Sequence, residues 1–211
     1  MKIKLCGLAN EHALQCAGAA RPDAIGLVFA ASPRQVRPED AERLLSYVPA
    51  HVQRWAVFRT PDPDILAQIA HLPLTGVQGD ASWDGAGLPA GWAFLPVFND
   101  GPDLVDRVRA AGHHGRPHEV DGLIGALLLD GAKGGGQGVV ADWARCAAVA
   151  RLGPVVLAGG LTPDNVAAAI AAVRPYGVDV SSGTESSPGH KDPARVTGFV
   201  EAARAAAAGA G

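Results

Sequence analysis

Two side chains capable of proton transfer lie at the ends of predicted strands. Cys6 comes after residues 3–5, and Asp130 comes after the four apolar residues 126–129. A positioned thiolate can remove a proton, and a positioned carboxylic acid can donate one. A carboxylate next to a buried segment is costly unless it is used or paired. The alternatives are a cysteine that only packs and an aspartate that only caps the following loop.

Two loops near the C-terminal end have the composition of phosphate-binding loops. One contains Gly159 and Gly160, and the other contains Ser181, Ser182 and Gly183. Small residues between a strand and a helix leave backbone N–H groups available to a phosphate. Phosphate sites of this kind are frequent after the last two strands of an eight-stranded parallel barrel. We therefore predict that these five residues bind an anionic group.

Two further features follow other strand-like runs. Arg34 lies after the second run, where its guanidinium could bind an aromatic carboxylate. The alternative is a solvated surface arginine. Gly136 and Gly138 belong to a glycine-rich stretch shortly after Asp130. Glycines there let backbone approach a ligand or let a loop move, although a plain flexible loop explains them equally well.

Neither a Schiff-base lysine nor a metal centre is predicted. Lys133 lies in the same glycine-rich stretch, where an amine is difficult to desolvate. His113, His114 and His118 lie in a polar connection, which favours a solvated loop over a cluster of metal ligands.

The elements that must position these residues alternate between strand-like and helix-like segments from end to end. This alternation predicts an α/β protein with one (β/α)8 TIM barrel domain over residues 1–211. The fourth unit is irregular, because residues 82–91 are too rich in glycine and proline for a helix. The predicted strands are 3–5, 24–29, 54–58, 76–77, 93–98, 126–129, 154–158 and 177–180. The predicted helices are 11–19, 38–47, 64–71, 102–111, 141–151, 163–173 and 192–207.

Composition and charge exclude several classes of binding partner. The 211 residues are 48% hydrophobic and carry a net charge of −3, without a basic cluster longer than two residues. Nucleic acid and membrane are therefore not expected partners. The three cysteines, Cys6, Cys16 and Cys146, form no C-x-x-C pair, and the chain starts without a signal-type apolar segment. This pattern favours a reducing, cytoplasmic location.

Taken together, these segments resemble the phosphoribosylanthranilate isomerases of tryptophan biosynthesis, in the family's order and nearly end to end. The matching segments are 4–8, 23–29, 32–36, 128–130, 135–138 with 142–143, 157–166 and 179–192. The resemblance implies a cofactor-free Amadori rearrangement of N-(5-phosphoribosyl)anthranilate, a small phosphosugar substrate, and a monomer or homodimer. The product is 1-(2-carboxyphenylamino)-1-deoxyribulose 5-phosphate.

The resemblance also implies roles for the candidate residues. Cys6 would be the general base and Asp130 the general acid. Arg34 would contact the anthranilate carboxylate and Asp179 the sugar, while the glycine and serine loops would hold the phosphate. Because a free thiol is mostly protonated and a free aspartate mostly ionised at neutral pH, we predict that the site lowers the pKa of Cys6 and raises that of Asp130.

The chain departs from the family pattern in its fourth strand, in the segment after Cys6, where residues 10–13 replace the usual acidic pair before alanine, and in the short loop between Asp130 and Gly135. Gln78 stands where the family's fourth strand carries a histidine, and the segment after Cys6 is one residue shorter. Two alternatives therefore stay open: another sugar-phosphate isomerase or epimerase on the same barrel, and a non-catalytic or repurposed phosphoribosyl-binding relative.

Overall fold

A computed structural model describes residues 1–112, 121–131 and 140–209. Eight parallel strands, β1 to β8, pair in sequential order and close into a barrel because β1 also pairs with β8. The strands are β1 Lys2–Cys6, β2 Ala24–Val28, β3 Gln53–Val57, β4 Gly76–Asp80, β5 Ala93–Asn99, β6 Leu127–Asp130, β7 Val155–Leu157 and β8 Gly177–Val180. The predicted barrel is confirmed.

Helices follow all of these strands except β4. They are α1 Glu11–Ala20, α2 Pro38–Leu45, α3 Pro63–Ile69, α4 Leu104–Ala110, α5 Trp143–Ala150, α6 Val166–Val173 and α7 Pro193–Ala208. Residues 81–92, between β4 and β5, contain turns and no helix, so the irregular fourth unit is confirmed. A short hairpin, β9 Glu185–Ser187 with β10 His190–Lys191, lies between β8 and α7.

Strand β4 is longer than its sequence suggests. It spans five residues and pairs with both neighbours. A Cβ atom at Gly76 would collide with the backbone of Ala93, so this glycine allows the close approach of β4 and β5. The absence of a side chain, which weakens the strand signal in the sequence, is therefore what the packing of this strand requires.

The start of α6 differs from the prediction. We expected a helix over residues 163–173, but the helix begins at Val166. The side chain of Asn165 accepts a hydrogen bond from the Thr162 N–H and donates one to the Gly160 carbonyl oxygen. These bonds hold residues 162–165 in a turn, because asparagine side chains compete with the helix for backbone partners.

Alternation along the strands separates two apolar clusters. Ile3, Leu5 and Leu129 face the helices, whereas Trp55 and Leu128 belong to the cluster that fills the barrel interior. Residues two positions apart on a strand share a face. Four buried side chains that can hydrogen-bond or ionise occupy inward positions near the C-terminal strand ends, and they are Cys6, Gln78, Asp130 and Asp179. The fold thus collects the candidate residues at one end of the barrel.

Among the residues that the structure describes, no helix combines the length and apolar character needed to cross a lipid bilayer.

Candidate active site

Cys6 and Asp130 lie at the C-terminal ends of β1 and β6, which are three strands apart around the barrel. Only 6% of Cys6 and 8% of Asp130 is exposed. Both residues occupy inward-facing positions, since their strand neighbours pack against the helices. A thiol and a carboxyl group therefore face the same barrel mouth, where TIM barrel enzymes carry out their chemistry.

A buried ion pair lies in the same mouth. The Nζ atom of Lys4 donates to Oδ1 of Asp179 at 3.1 Å, and Lys4 is completely buried. Burial acts to lower the pKa of Lys4, but the negative charges of Asp179 and Cys6 outweigh it and raise that pKa. The lysine is therefore a fixed cation beside the thiol. Sequence reasoning missed it, although a lysine inside an apolar strand was a visible signal.

The thiol of Cys6 has a protonation preference opposite to the prediction. Burial raises its pKa, and the Lys4 and Lys191 ammonium groups offset only part of that effect. The expectation of a lowered pKa was wrong because the sequence does not show how completely this thiol is removed from water. Gly26 on β2 leaves the thiol its space: a Cβ atom there would lie 2.9 Å from Sγ of Cys6 and 3.0 Å from Nζ of Lys4.

Asp130 behaves as predicted. Burial raises the pKa of its carboxyl group to about 6, and the neighbouring charge of Asp179 acts in the same direction. A hydrogen bond of 2.8 Å from the Gly131 N–H to Oδ1 opposes this rise, as does the charge of Lys4. A carboxyl group with this pKa keeps a useful protonated fraction near neutral pH.

The two predicted phosphate loops touch each other above the barrel. A Cβ atom at Gly183 would collide with the carbonyl oxygen of Leu161, so the glycine permits this contact. Ser182–Thr184 forms a short 3-10 helix, whose first N–H groups have no partner within the helix. Gly159 and Gly160 both have positive φ angles, of 81° and 63°.

The backbone geometry of these loops suits an anion. The Gly160 N–H has no acceptor within residues 1–112, 121–131 and 140–209. Ser181 directly precedes the 3-10 helix. Its carbonyl oxygen accepts a hydrogen bond of 2.7 Å from Nζ of Lys191, which ties this loop to β10. Unpaired backbone N–H groups from two adjoining loops form the kind of concavity that binds phosphate.

Arg34 is not a solvated surface residue. Its Nε and Nη2 atoms each donate to a different oxygen of Glu185, at 2.7 Å, and the pair is buried. Gly7, with a φ of 73°, brings the loop after β1 against it, since a Cβ atom there would lie 2.5 Å from Cδ of Arg34. Glu185 also accepts from Nζ of Lys191 at 3.1 Å. Sequence reasoning missed both of these partners.

Gln78 lies inside the barrel with 7% exposure, and its Oε1 atom has no hydrogen-bond partner among the described residues. The remaining predicted residues, Gly136 and Gly138, fall outside the described part of the chain, as do Lys133 and the histidines 113, 114 and 118. Within the described part, no group of three or more histidine, cysteine or acidic side chains could hold a metal ion.

Comparison with known proteins bears on the chemistry of this site. A family model described as N-(5'-phosphoribosyl)anthranilate isomerase matches residues 115–202. The N-(5'-phosphoribosyl)anthranilate isomerase of Chromohalobacter salexigens is 40% identical over 206 residues, which cover 94% of this chain and 92% of the relative. The chain belongs to the phosphoribosylanthranilate isomerase family.

Solved structures of this family share the fold. The phosphoribosylanthranilate isomerase of Thermotoga maritima matches with a TM-score of 0.79 and 30% identity, covering 97% of this chain and 99% of the other. A second phosphoribosylanthranilate isomerase structure, in complex with reduced 1-(o-carboxyphenylamino)-1-deoxyribulose 5-phosphate, matches with a TM-score of 0.77 and 28% identity over the same shares. The Thermotoga maritima protein has been described as dimeric.

Proposed function

We propose that the protein is a phosphoribosylanthranilate isomerase of tryptophan biosynthesis. It would convert N-(5-phosphoribosyl)anthranilate into 1-(2-carboxyphenylamino)-1-deoxyribulose 5-phosphate. The observation that carries the proposal is the pairing of Cys6 and Asp130 across one barrel mouth, beside two loops with unpaired backbone N–H groups. We further propose one domain over residues 1–211, a cytoplasmic location, and a monomer or homodimer.

Asp130 would act first, as the general acid. Its protonated form would donate to the ring oxygen of the ribose, and the ring would open as the anthranilate nitrogen forms an iminium. With a pKa of about 6, roughly one carboxyl group in ten is protonated at pH 7, compared with fewer than about one in a thousand for an ordinary aspartate. Burial thus supplies the proton donor at neutral pH.

Cys6 would then act as the general base and remove the proton from C2 of the opened sugar. The enolamine that results would become a ketone by gaining a proton at C1 and losing one from the C2 hydroxyl group. Because burial disfavours the thiolate, the neighbouring Lys4 ammonium is needed to stabilise it. The whole conversion moves protons within one substrate and needs no external oxidant or reductant.

Substrate binding would use the two ends of the molecule. The phosphate would accept hydrogen bonds from backbone N–H groups of Gly160, Ser182 and Gly183, with Gly159 and Ser181 shaping the loops. Gly136 and Gly138 remain proposed contributors from the sequence alone. Asp179 would accept from a sugar hydroxyl, and Arg34 would bind the anthranilate carboxylate.

The direct test follows the fluorescence of freshly generated phosphoribosylanthranilate with the wild type, Cys6→Ser and Cys16→Ser. Cys16 is a matched control, because it is a buried cysteine on α1 outside the barrel. We expect turnover by the wild type and by Cys16→Ser, and a loss of about 10²-fold or more for Cys6→Ser. Folded wild-type protein that binds the product but shows no turnover would instead favour the non-catalytic relative.

A further inference from the structure

Arg34, which is proposed to bind the substrate carboxylate, belongs to a buried cluster of three charged residues. Glu185 accepts from Nε and Nη2 of Arg34 at 2.7 Å each, and from Nζ of Lys191 at 3.1 Å. The side chains of Glu185 and Lys191 are only 4% and 0% exposed. Lys191 is fixed in turn by the carbonyl oxygen of Ser181, and Arg195 donates to the backbone oxygen of Glu185 at 2.6 Å. The carboxylate is thus held from several sides.

Glu185 binds one edge of the Arg34 guanidinium and leaves its outer edge available for a ligand. Arginine has five N–H donors in a planar fork. Glu185 uses the Nε–Nη2 edge, so one hydrogen of Nη1 and one of Nη2 still point along the outer edge. That edge has the geometry for a second bidentate carboxylate. One arginine can therefore be clamped by the protein and bind an anionic ligand at the same time.

The charge balance of the cluster also favours an anionic ligand. Two cations, Arg34 and Lys191, share one carboxylate, which leaves a net charge of +1 in a buried setting. Burial acts to raise the pKa of Glu185, but the two cations lower it overall, so this carboxylate stays ionised. An unbalanced buried charge is costly, and a bound carboxylate would compensate it.

The hairpin of β9 and β10 connects this cluster with the phosphate loops. Glu185 follows the 3-10 helix Ser182–Thr184 directly, and Lys191 binds the carbonyl oxygen of Ser181. The turn of the hairpin also touches the loop that carries Arg34, because a Cβ atom at Gly189 would lie 2.8 Å from the Pro33 carbonyl oxygen. The hairpin therefore sets the separation between the two anion-binding parts of the site.

We infer that Glu185 and Lys191 are positioning residues, which hold Arg34 by its inner edge so that the outer edge receives the carboxylate of the substrate's aromatic ring. This inference rests on the proposed function. It gives the hairpin a role in specificity: it selects a ligand that carries a phosphate at one end and a carboxylate at the other.

The test measures binding of two stable ligands, the reduced product and the same compound without its ring carboxylate. The ratio of their dissociation constants reports the carboxylate contact alone. In the wild type we expect the carboxylate to strengthen binding by roughly ten- to a hundred-fold, as for charge-assisted hydrogen bonds. In Glu185→Gln the ratio should fall at least about ten-fold, while the ligand without the carboxylate should bind as in the wild type.

Two further variants control the result. Asp23→Asn removes an ion pair with Lys2 at the opposite end of the barrel and should leave the ratio unchanged. The double variant Glu185→Gln with Lys191→Met keeps the net charge of the cluster at +1, so it replaces the single variant if that variant does not fold. It should also lose the preference for the carboxylated ligand.

The outcomes separate the inference from the proposed function. If the wild type prefers the carboxylated ligand and the Glu185 variants keep that preference, the inference is wrong and the function stands. If Glu185→Gln weakens both ligands equally, the residue only supports the fold and the inference is again wrong. If the wild type shows no preference for the carboxylated ligand, or binds neither ligand, both the inference and the proposed function are wrong.

Discussion

Replacing Asp130 with asparagine should stabilise the protein at neutral pH while abolishing its activity. The pKa of this carboxyl group rises from 3.8 to about 6 in the folded state. A rise of about two pKa units, at about 1.4 kcal/mol each, means that the ionised form costs about 3 kcal/mol of folding free energy. Asparagine cannot ionise, and its side-chain oxygen can still accept the Gly131 N–H bond that Asp130 accepts.

The pH dependence has a definite sign. Below about pH 4 the carboxyl group is protonated in both states, so it contributes nothing. Between about pH 4 and pH 6 the folded state keeps a proton that the unfolded state releases, and stability falls as the pH rises. Above about pH 6 the full cost is present. The stability gained by Asp130→Asn should therefore be near zero at pH 4 and should approach about 3 kcal/mol at pH 7.5.

Asp100 provides a control of opposite sign. It follows β5, next to β6, and its carboxylate accepts from Nε and Nη2 of Arg145 at 2.8 and 2.9 Å. The Arg145 guanidinium lowers the pKa of Asp100 despite burial. This group therefore stabilises the fold above the unfolded-state pKa and loses that effect as the pH falls. Asp100→Asn should destabilise the protein at pH 7.5 and nearly as much at pH 4, because the stabilising effect of Asp100 is lost only as the pH falls below about 4.

The assay is urea unfolding of the wild type and both variants at several pH values between 4 and 7.5, with turnover measured in parallel. Differences between variants cancel the titration of all other groups. We expect the two stability differences to have opposite signs at pH 7.5, and toward pH 4 the Asp130→Asn difference should vanish while the Asp100→Asn difference persists. Turnover of Asp130→Asn should be reduced by about 10²-fold or more. An Asp130→Asn variant no more stable than the wild type at pH 7.5, or a difference independent of pH, would refute the reasoning.

Two predictions concern glycines. Gly26→Ala should lower turnover strongly, because the new Cβ atom would press on Cys6 and Lys4. The control is Gly18→Ala in α1, where a Cβ atom meets nothing within 4 Å; it should keep full turnover and add about 0.5–1 kcal/mol of stability. Equal turnover in the two variants would contradict this prediction. Gly183→Ala should weaken binding of inorganic phosphate by roughly ten-fold or more, because the new Cβ atom would collide with Leu161 and separate the two loops. If calorimetric titration finds an unchanged affinity, these loops are not the phosphate site.

The barrel and the ends of its strands could be predicted from the sequence because they depend on local patterns. An apolar run that stops at a cysteine or an aspartate marks both a strand and its C-terminal end, so Cys6 and Asp130 were visible. The partners of Arg34 were not visible. Glu185 lies 151 positions further along the chain, and only the closure of the barrel brings it to the arginine. Pairings of this kind depend on three-dimensional packing and leave no periodic signal.

The prediction for the Cys6 thiol failed for a related reason. Chemical need suggested a lowered pKa, but need does not determine an environment. The structure buries both Cys6 and Asp130, and burial raises the pKa of a thiol and of a carboxyl group alike. This direction suits an acid and opposes a base, so the sequence argument was right for Asp130 and wrong for Cys6.

What distinguishes the two groups is therefore the charge of their neighbours. Cys6 lies near two cations, Lys4 and Lys191, which favour its thiolate, whereas the anion Asp179 keeps Asp130 protonated to a higher pH. Lys4 and Asp179 are paired with each other at 3.1 Å. Of the two, Lys4 has the larger effect on Cys6 and favours its thiolate, whereas Asp179 has the larger effect on Asp130 and favours its protonated form. The ion pair thus opposes the effect of burial at Cys6 and adds to it at Asp130, while burial remains the larger cause at both groups.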